Sequence, residues 1–180
     1  DIFDFAFERG WDKQYGGMLY FVDLDNSRCY NLFRKFNGGI FMNVLIFGGT
    51  GLLGSAAAQI FIDRGHHVKT IALPPLPEGA PIPKEMEIEF GNFLELSDEQ
   101  LEAAMTGMDA FVYAAGVDER VEFPAPVYDA YKKYNIDPVD RCLAMAKKCG
   151  VKRCVVLGSY FSWLEKTHPE MDLCAKHPYI

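Results

Sequence analysis

A glycine-rich turn between an apolar run and a helical repeat constrains the fold of this chain most. Residues 43–47 (NVLIF) are all apolar after Asn43, which is typical of a strand buried on both faces of a parallel sheet. The run GGTGLLG, residues 48–54, follows at once, and apolar residues then recur at helical spacing up to Phe61. Gly65 stands where a helix commonly ends. The pattern predicts a strand, a tight turn and a helix.

The same alternation continues along the chain. The patterns predict further strands at 68–73, 86–90, 110–114 and 153–157, and helices at 98–108 and 127–148. Ser97 and Gln100 have the spacing of a capping box, and Pro138 is expected to kink or break the last helix. Strands separated by helices indicate an α/β fold with a doubly wound parallel sheet, Rossmann-like in type. Since the full version has six strands, we expect the domain to be incomplete at its C-terminus, with an unpaired edge on its fifth strand.

The composition of the chain disfavours some classes of binding partner. The net charge of −7 and the pI of about 5.1 argue against nucleic acid or an anionic membrane. Five cysteines without a CxxC pair indicate free thiols in a reducing compartment, neither a disulfide framework nor a metal site. No signal peptide or membrane span is recognisable. We expect a cytoplasmic protein that binds small molecules and that could form a homo-oligomer.

The glycine turn suits a particular ligand chemistry. A pyrophosphate needs N–H donors, positive potential and room, which a helix N-terminus behind a glycine loop supplies. Gly48 would permit the turn, Gly51 would let the backbone approach the phosphates, and Gly54 would let the helix pack closely. The alternative is a tight turn without a ligand, but three glycines exceed what a turn needs. We therefore predict NAD or NADP as the cofactor, held by the loop residues Gly48, Thr50, Gly51, Leu52, Leu53 and Gly54.

GGTGLLG and the blocks that follow it resemble the extended short-chain dehydrogenase/reductase family, and within it the NAD-dependent epimerase/dehydratase branch. The resemblance covers residues 42–180, the N-terminal part of such an enzyme. It implies that Asn92 contacts adenine, where the family commonly has Gly-Asp after the third strand. It further implies a place beside the cofactor for Ala114, Ala115 and Gly116, and for Asn135 in the following helix.

The resemblance also implies catalytic residues. Ser159 matches the serine at the end of the fifth strand, with Ser162 as a second candidate, and Tyr179 falls where the family has its proton-donating tyrosine. An ordinary surface aromatic is the alternative for Tyr179. The family position that selects NAD by an acid falls at Ala72 or Leu73, and no arginine stands near it, so the choice between NAD and NADP stays open.

Residues 1–41 differ from the rest and are predicted to be a separate N-terminal extension, with the NAD(P)-binding domain at 42–180. Turn residues between the runs 18–22 and 29–33 predict a hairpin. Residues 1–30 resemble a fragment of the N-acylglucosamine 2-epimerase family, through the pattern Gly-Trp-Asp, Gly-Gly and Tyr-Phe. Gly-Gly-Ile-Phe before Met42 could be a translated ribosome-binding site, which suggests that Met42 is the start of the second gene.

Three functions remain in competition. The first is the NAD(P)-binding part of an epimerase, dehydratase or reductase that transfers hydride to or from a sugar nucleotide or another hydroxyl or carbonyl substrate. The second is a non-catalytic NAD(P)-binding sensor or interaction module, since fold does not determine function. The weakest is a fragment of an N-acylglucosamine 2-epimerase. We expect the substrate to bind mainly outside this stretch, which would then be inactive alone.

Overall fold

The protein is described by a computed structural model, which defines residues 19–23, 28–29, 41–118, 120–158 and 167–171. Strands within these ranges form a single seven-stranded sheet. The strands, in chain order, are β1 (Leu19–Asp23), β2 (Arg28–Cys29), β3 (Asn43–Phe47), β4 (His67–Ala72), β5 (Glu87–Phe90), β6 (Ala110–Tyr113) and β7 (Arg153–Leu157).

The helical elements follow the β/α alternation. They are α1 (Leu52–Asp63), α2 (Asp98–Met105), α3 (Val127–Tyr131), a π-helical turn (Lys132–Ile136), α4 (Asp137–Lys148) and a 3₁₀ turn (Pro169–Met171). None of the helices in the described ranges combines the length and the apolar character that a membrane span requires.

The sheet order is β2-β1-β7-β6-β3-β4-β5, and the five strands from β3 to β7 are mutually parallel. Read from β5 to β7, this is the strand order 3-2-1-4-5 of the doubly wound nucleotide-binding fold. The predicted fold class is therefore confirmed. The expected unpaired edge on β7 is wrong, because β1 pairs with β7 in the antiparallel sense and β2 pairs with β1.

The core lies on both faces of this sheet. Alternate residues of β3 show the division, since Leu45 and Phe47 belong to one apolar cluster while Val44 and Ile46 belong to the other. The first cluster also includes apolar side chains of α2 and α4, and the second includes Ala58 and Phe61 of α1. Helices on opposite faces give a three-layer arrangement, which fixes the glycine loop at the carboxyl end of β3.

Two local predictions can be compared with the structure. The capping box is confirmed: the Ser97 N–H donates to Gln100 Oε1 at 2.8 Å, and the Gln100 N–H donates to Ser97 Oγ at 3.2 Å. The kink at Pro138 takes the form of the π-helical turn, which immediately precedes α4. Proline has no N–H and its ring crowds the carbonyl group four residues earlier, so a wider turn relieves the helix there.

Candidate functional site

Two glycines of the loop are required by the fold itself. Gly48 has a φ of 86°, and a Cβ there would lie 2.6 Å from the carbonyl carbon and oxygen of Ala114. A Cβ on Gly54 would lie only 2.0 Å from the carbonyl oxygen of Gly48. Any side chain at either position would clash with backbone. A tight strand-to-helix turn is thus a sufficient reason for these two glycines, and neither one by itself indicates a ligand.

Gly51 is different. Its φ of −79° and ψ of 172° are extended backbone that any residue adopts. A Cβ at Gly51 would meet only the Gly48 carbonyl oxygen, at 3.3 Å, which is a tight contact but not a prohibitive one. The turn alone therefore does not explain a glycine at this position. A ligand that approaches the backbone at the start of α1 would explain it, because a side chain would stand in its path.

The N-terminus of α1 presents unused donors. The Ser55 N–H makes the first bond of the helix, to the carbonyl oxygen of Gly51 at 2.9 Å. No acceptor among the described residues pairs with the N–H groups of Leu52, Leu53 and Gly54. The first turn also carries no acidic residue. Within the described ranges, nothing caps or neutralises the positive end of the helix dipole, which favours an anion at this point.

The leucines of the loop face outward. Leu52 is 80% exposed and Leu53 is 64% exposed, and Thr50 beside them is half-buried. These three residues therefore border the open side of the loop, whereas Gly54 is buried beneath it.

A buried threonine supports the loop from below, and it was not predicted from the sequence. Thr70 in β4 is 0% exposed, and its hydroxyl donates to the Ile46 carbonyl oxygen at 2.6 Å. A Cβ on Gly49 would lie 2.7 Å from the Thr70 hydroxyl oxygen, so the loop rests directly on this side chain. The available signal was that Thr70, a polar residue, shares one face of its strand with Val68 and Ala72.

Residues 114–117, which follow β6, form a second wall of the candidate site beside the glycine loop. The Ala114 N–H donates to the Phe47 carbonyl oxygen at 2.8 Å, which joins this segment to the end of β3. Since a Cβ on Gly48 would also lie 2.7 Å from the amide nitrogen of Ala115, the glycine loop and the Ala-Ala segment are in direct contact. The structure therefore brings together two blocks that the sequence placed more than sixty residues apart.

Asn135 holds this second wall in place. Its Oδ1 accepts from the Val117 N–H and its Nδ2 donates to the Val117 carbonyl oxygen, both at 2.8 Å. A Cβ on Gly116 would lie 3.1 Å from Asn135 Oδ1, so the segment passes close to the amide. The side chain projects from the π-helical turn. In this structure Asn135 positions the segment after β6, and its predicted contact with a cofactor stays a prediction.

Asn92 lies at the other side of the loop, after β5. Its Oδ1 accepts from the Leu94 N–H at 3.1 Å, and its carbonyl oxygen accepts from the Glu95 N–H at 3.0 Å. At the end of the neighbouring β4, Ala72 is buried and Leu73 is 61% exposed. The position expected to select between NAD and NADP thus presents an apolar surface.

Two titratable groups near the second wall have displaced pKa values. Burial raises the pKa of the Tyr113 hydroxyl, so it is a neutral group at physiological pH. Hydrogen bonds from the Arg120 side chain and backbone lower the pKa of Asp118 to about 2. The Asp118 carboxylate is therefore ionised and paired with Arg120 at neutral pH. Neither group is poised to exchange a proton near pH 7.

The proposed catalytic residues fall at the end of the chain. Ser159, Ser162 and Tyr179 lie outside the described residues, and the structure around β7 is defined up to residue 158.

Comparison with known proteins is consistent with this geometry. The sequence profile of the NAD dependent epimerase/dehydratase family matches residues 44–179. Solved structures with a similar fold include the Bordetella bronchiseptica enzyme WbmG in complex with NAD, at 22% identity over 65% of this chain and 37% of that chain, with a TM-score of 0.51. Pen from Bacillus thuringiensis matches at 18% identity over 62% of this chain and 36% of that chain, with a TM-score of 0.50. No curated protein matches the chain.

The solved chains that this protein matches are longer than the protein itself. The chain spans between 31% and 37% of the length of the first solved chains that it matches. The resemblance of residues 1–30 to N-acylglucosamine 2-epimerases receives no support, since the matched family covers residues 44–179. The resemblance over residues 42–180 is confirmed, and NAD or NADP as the cofactor agrees with it. The chain belongs to the NAD dependent epimerase/dehydratase family.

Proposed function

We propose that the loop Gly48–Gly54 binds the pyrophosphate of NAD or NADP at the N-terminus of α1. The observation that carries this proposal is Gly51, whose backbone does not need glycine and whose surroundings would nearly accept a side chain. A bound phosphate explains the missing side chain, since backbone N–H groups can approach a phosphate only where no Cβ intervenes. The N–H groups of Leu52 and Leu53, which no residue of the described part of the chain engages, would supply the donors.

The remaining residues would line the rest of the dinucleotide. Ala114, Ala115 and Gly116 present a small-residue surface beside the loop, and Asn135 keeps that surface in place through Val117. Asn92 would contribute its amide nitrogen at the adenine end, since Leu94 already engages its Oδ1. When bound, the nicotinamide ring supplies the hydride acceptor or donor.

For the whole protein we propose an epimerase, dehydratase or reductase reaction by hydride transfer on a sugar nucleotide or another hydroxyl or carbonyl substrate. Family membership supports this reaction class. Ser159 and Tyr179 are the proposed catalytic residues. Ser159 would donate a hydrogen bond to the reacting oxygen of the substrate, and the Tyr179 hydroxyl would exchange a proton with it.

The cofactor proposal can be tested by fluorescence titration of NADH and NADPH. Gly51→Val should weaken binding at least tenfold, because its side chain would fill the phosphate approach, and Gly51→Ala should have a smaller effect. Gly65→Ala is the matched control at the other end of α1. Gly65 has a φ of 82°, and no described atom lies within 4 Å of the place that a methyl group would take, so the substitution should cost about 1–2 kcal/mol of stability and leave affinity unchanged.

The effects of Gly51→Val and Gly65→Ala on affinity together test the phosphate site. Equal affinity of the wild type and Gly51→Val would refute the phosphate site. An equal loss of affinity in Gly65→Ala would show that the titration reports stability and not contact with the ligand.

A further inference from the structure

The edge of β7 is covered by a strand from the beginning of the chain. All five residues of β1 pair with β7, from Leu19 opposite Leu157 to Asp23 opposite Arg153. On its other side, β1 pairs with β2, with Val22 opposite Cys29 and Asp23 opposite Arg28. The hairpin therefore belongs to the same sheet as the nucleotide-binding fold and extends it by two strands.

The place that β1 occupies has a counterpart in the complete fold. The doubly wound nucleotide-binding sheet continues from its fifth strand to a sixth, which lies beside the fifth and is parallel to it. Here the neighbour of β7 on that side is β1, and it is antiparallel. The N-terminal segment thus fills the position of the sixth strand with the opposite chain direction.

Chain length permits this pairing within one molecule. Four strand spacings separate β2 from β3 in the sheet, which is about 19 Å at ~4.8 Å per spacing. The 13 residues from 30 to 42 connect these two strands, and an extended chain of that length reaches about 43–47 Å. The connection is long enough to pass across the intervening strands.

We propose that residues 19–23 are an intramolecular edge cap, which closes the edge of β7 on the side where the complete fold has a parallel sixth strand. A bare edge presents unpaired N–H and C=O groups that recruit other strands, and β1 satisfies those of β7. The cap and a parallel sixth strand would compete for one edge, so only one of them can be paired with β7 at a time.

Disulfide trapping tests the pairing directly. Tyr20 is opposite Val156, and directly opposite residues in antiparallel strands have Cβ atoms about 4.5–5.5 Å apart, near disulfide range. Tyr20→Cys combined with Val156→Cys should therefore cross-link within one chain when diamide oxidises the two thiols. Phe21→Cys combined with Val156→Cys is the control, since it is out of register by one residue and directs its side chains to opposite faces.

Peptide mapping by mass spectrometry identifies the linked cysteines. At least tenfold more of the intramolecular link in the matched pair than in the control is the expected result. Equal yields in both pairs, no link in either, or a link between two chains would each overturn the proposal.

Hydrogen exchange tests the capping role in the full chain. Successive residues of a strand direct their N–H groups to opposite sides, so one of the N–H groups of residues 20 and 21 is directed at β7. Tyr20→Pro combined with Phe21→Pro removes both N–H groups and therefore removes this donor. Exchange of amides in β7 should then accelerate at least tenfold relative to the control Tyr20→Val with Phe21→Val, while β3 amides stay unchanged. Identical β7 exchange in the two variants would contradict the cap.

Discussion

The bidentate contact between Asn135 and Val117 allows a quantitative test of how the second wall of the site is held. Asn135→Ala removes two hydrogen bonds of 2.8 Å and leaves the Val117 N–H and carbonyl groups without their partner. At about 1 kcal/mol for each bond, the loss approaches ~2 kcal/mol, and water at this half-buried position offsets part of it. We expect the free energy of unfolding to fall by about 1–2 kcal/mol.

For a chain of this size, 1 kcal/mol corresponds to a Tm shift of about 2–4 °C. Asn135→Ala should therefore lower the Tm by ~2–8 °C, which calorimetry or urea unfolding can measure. An unchanged Tm would show that the contact with Val117 does not stabilise the folded protein.

Asn135→Asp keeps the hydrogen-bond acceptor of this contact and removes its donor. Its carboxylate can accept from the Val117 N–H but offers no donor to the Val117 carbonyl oxygen, and protonation restores that donor. We expect the folded state to raise the pKa of this carboxyl above its unfolded value of about 3.9, because the ionised form places a second acceptor against the Val117 carbonyl oxygen. By linkage, the stabilising contribution of the protonated form is complete below the unfolded pKa and is lost as pH rises through the folded pKa.

The destabilisation of Asn135→Asp relative to the wild type should thus be largest at pH 7 and shrink towards pH 4. Urea unfolding of both proteins across this range measures the difference at each pH, so that general acid effects cancel. A difference that is constant with pH would refute the donor role of the Asn135 amide.

Two further predictions concern buried groups of the core. Tyr113 is 1% exposed and no described residue accepts from its hydroxyl, so Tyr113→Phe should stabilise the protein by about 1 kcal/mol in urea unfolding, and a loss of stability would reveal a partner for the hydroxyl. Burial raises the thiol pKa of Cys142 and Cys154 to about 12, so at pH 7.5 both are neutral and shielded. The partly exposed Cys149 should react with a maleimide much faster than either, and mass mapping that finds equal rates would contradict the described core.

Local patterns predicted most of the parallel sheet. The strand at 153–157 matches β7, and the strand at 43–47 matches β3, because each is a run of four apolar residues after one polar residue, followed by a glycine. The helix predicted at 98–108 ends earlier, at Met105, where Thr106 adopts extended backbone. Helix ends depend on a few dihedral angles and weak caps, so periodicity determines them poorly.

The candidate site was predictable only in part. The spacing of Gly48, Gly51 and Gly54 identified the loop, since a strand, a glycine turn and a helix are contiguous in sequence. The atoms that require glycine at Gly48 and Gly54 were not predictable, because they belong to Ala114 and to the path of the turn itself. The supporting role of Thr70 was likewise hidden, since nothing in its own strand indicates that Gly49 rests upon it.

The sequence by itself determined the α/β class, the position of the glycine loop and the family, since each rests on patterns that are local to short blocks of the chain. Only the tertiary structure decided that β1 covers the edge of β7 and that Asn135 holds Val117 across 18 residues. These contacts join segments whose local patterns are compatible with several pairings. Strand order, direction and register select one pairing, and they depend on the free energy of the whole sheet and not on any single segment.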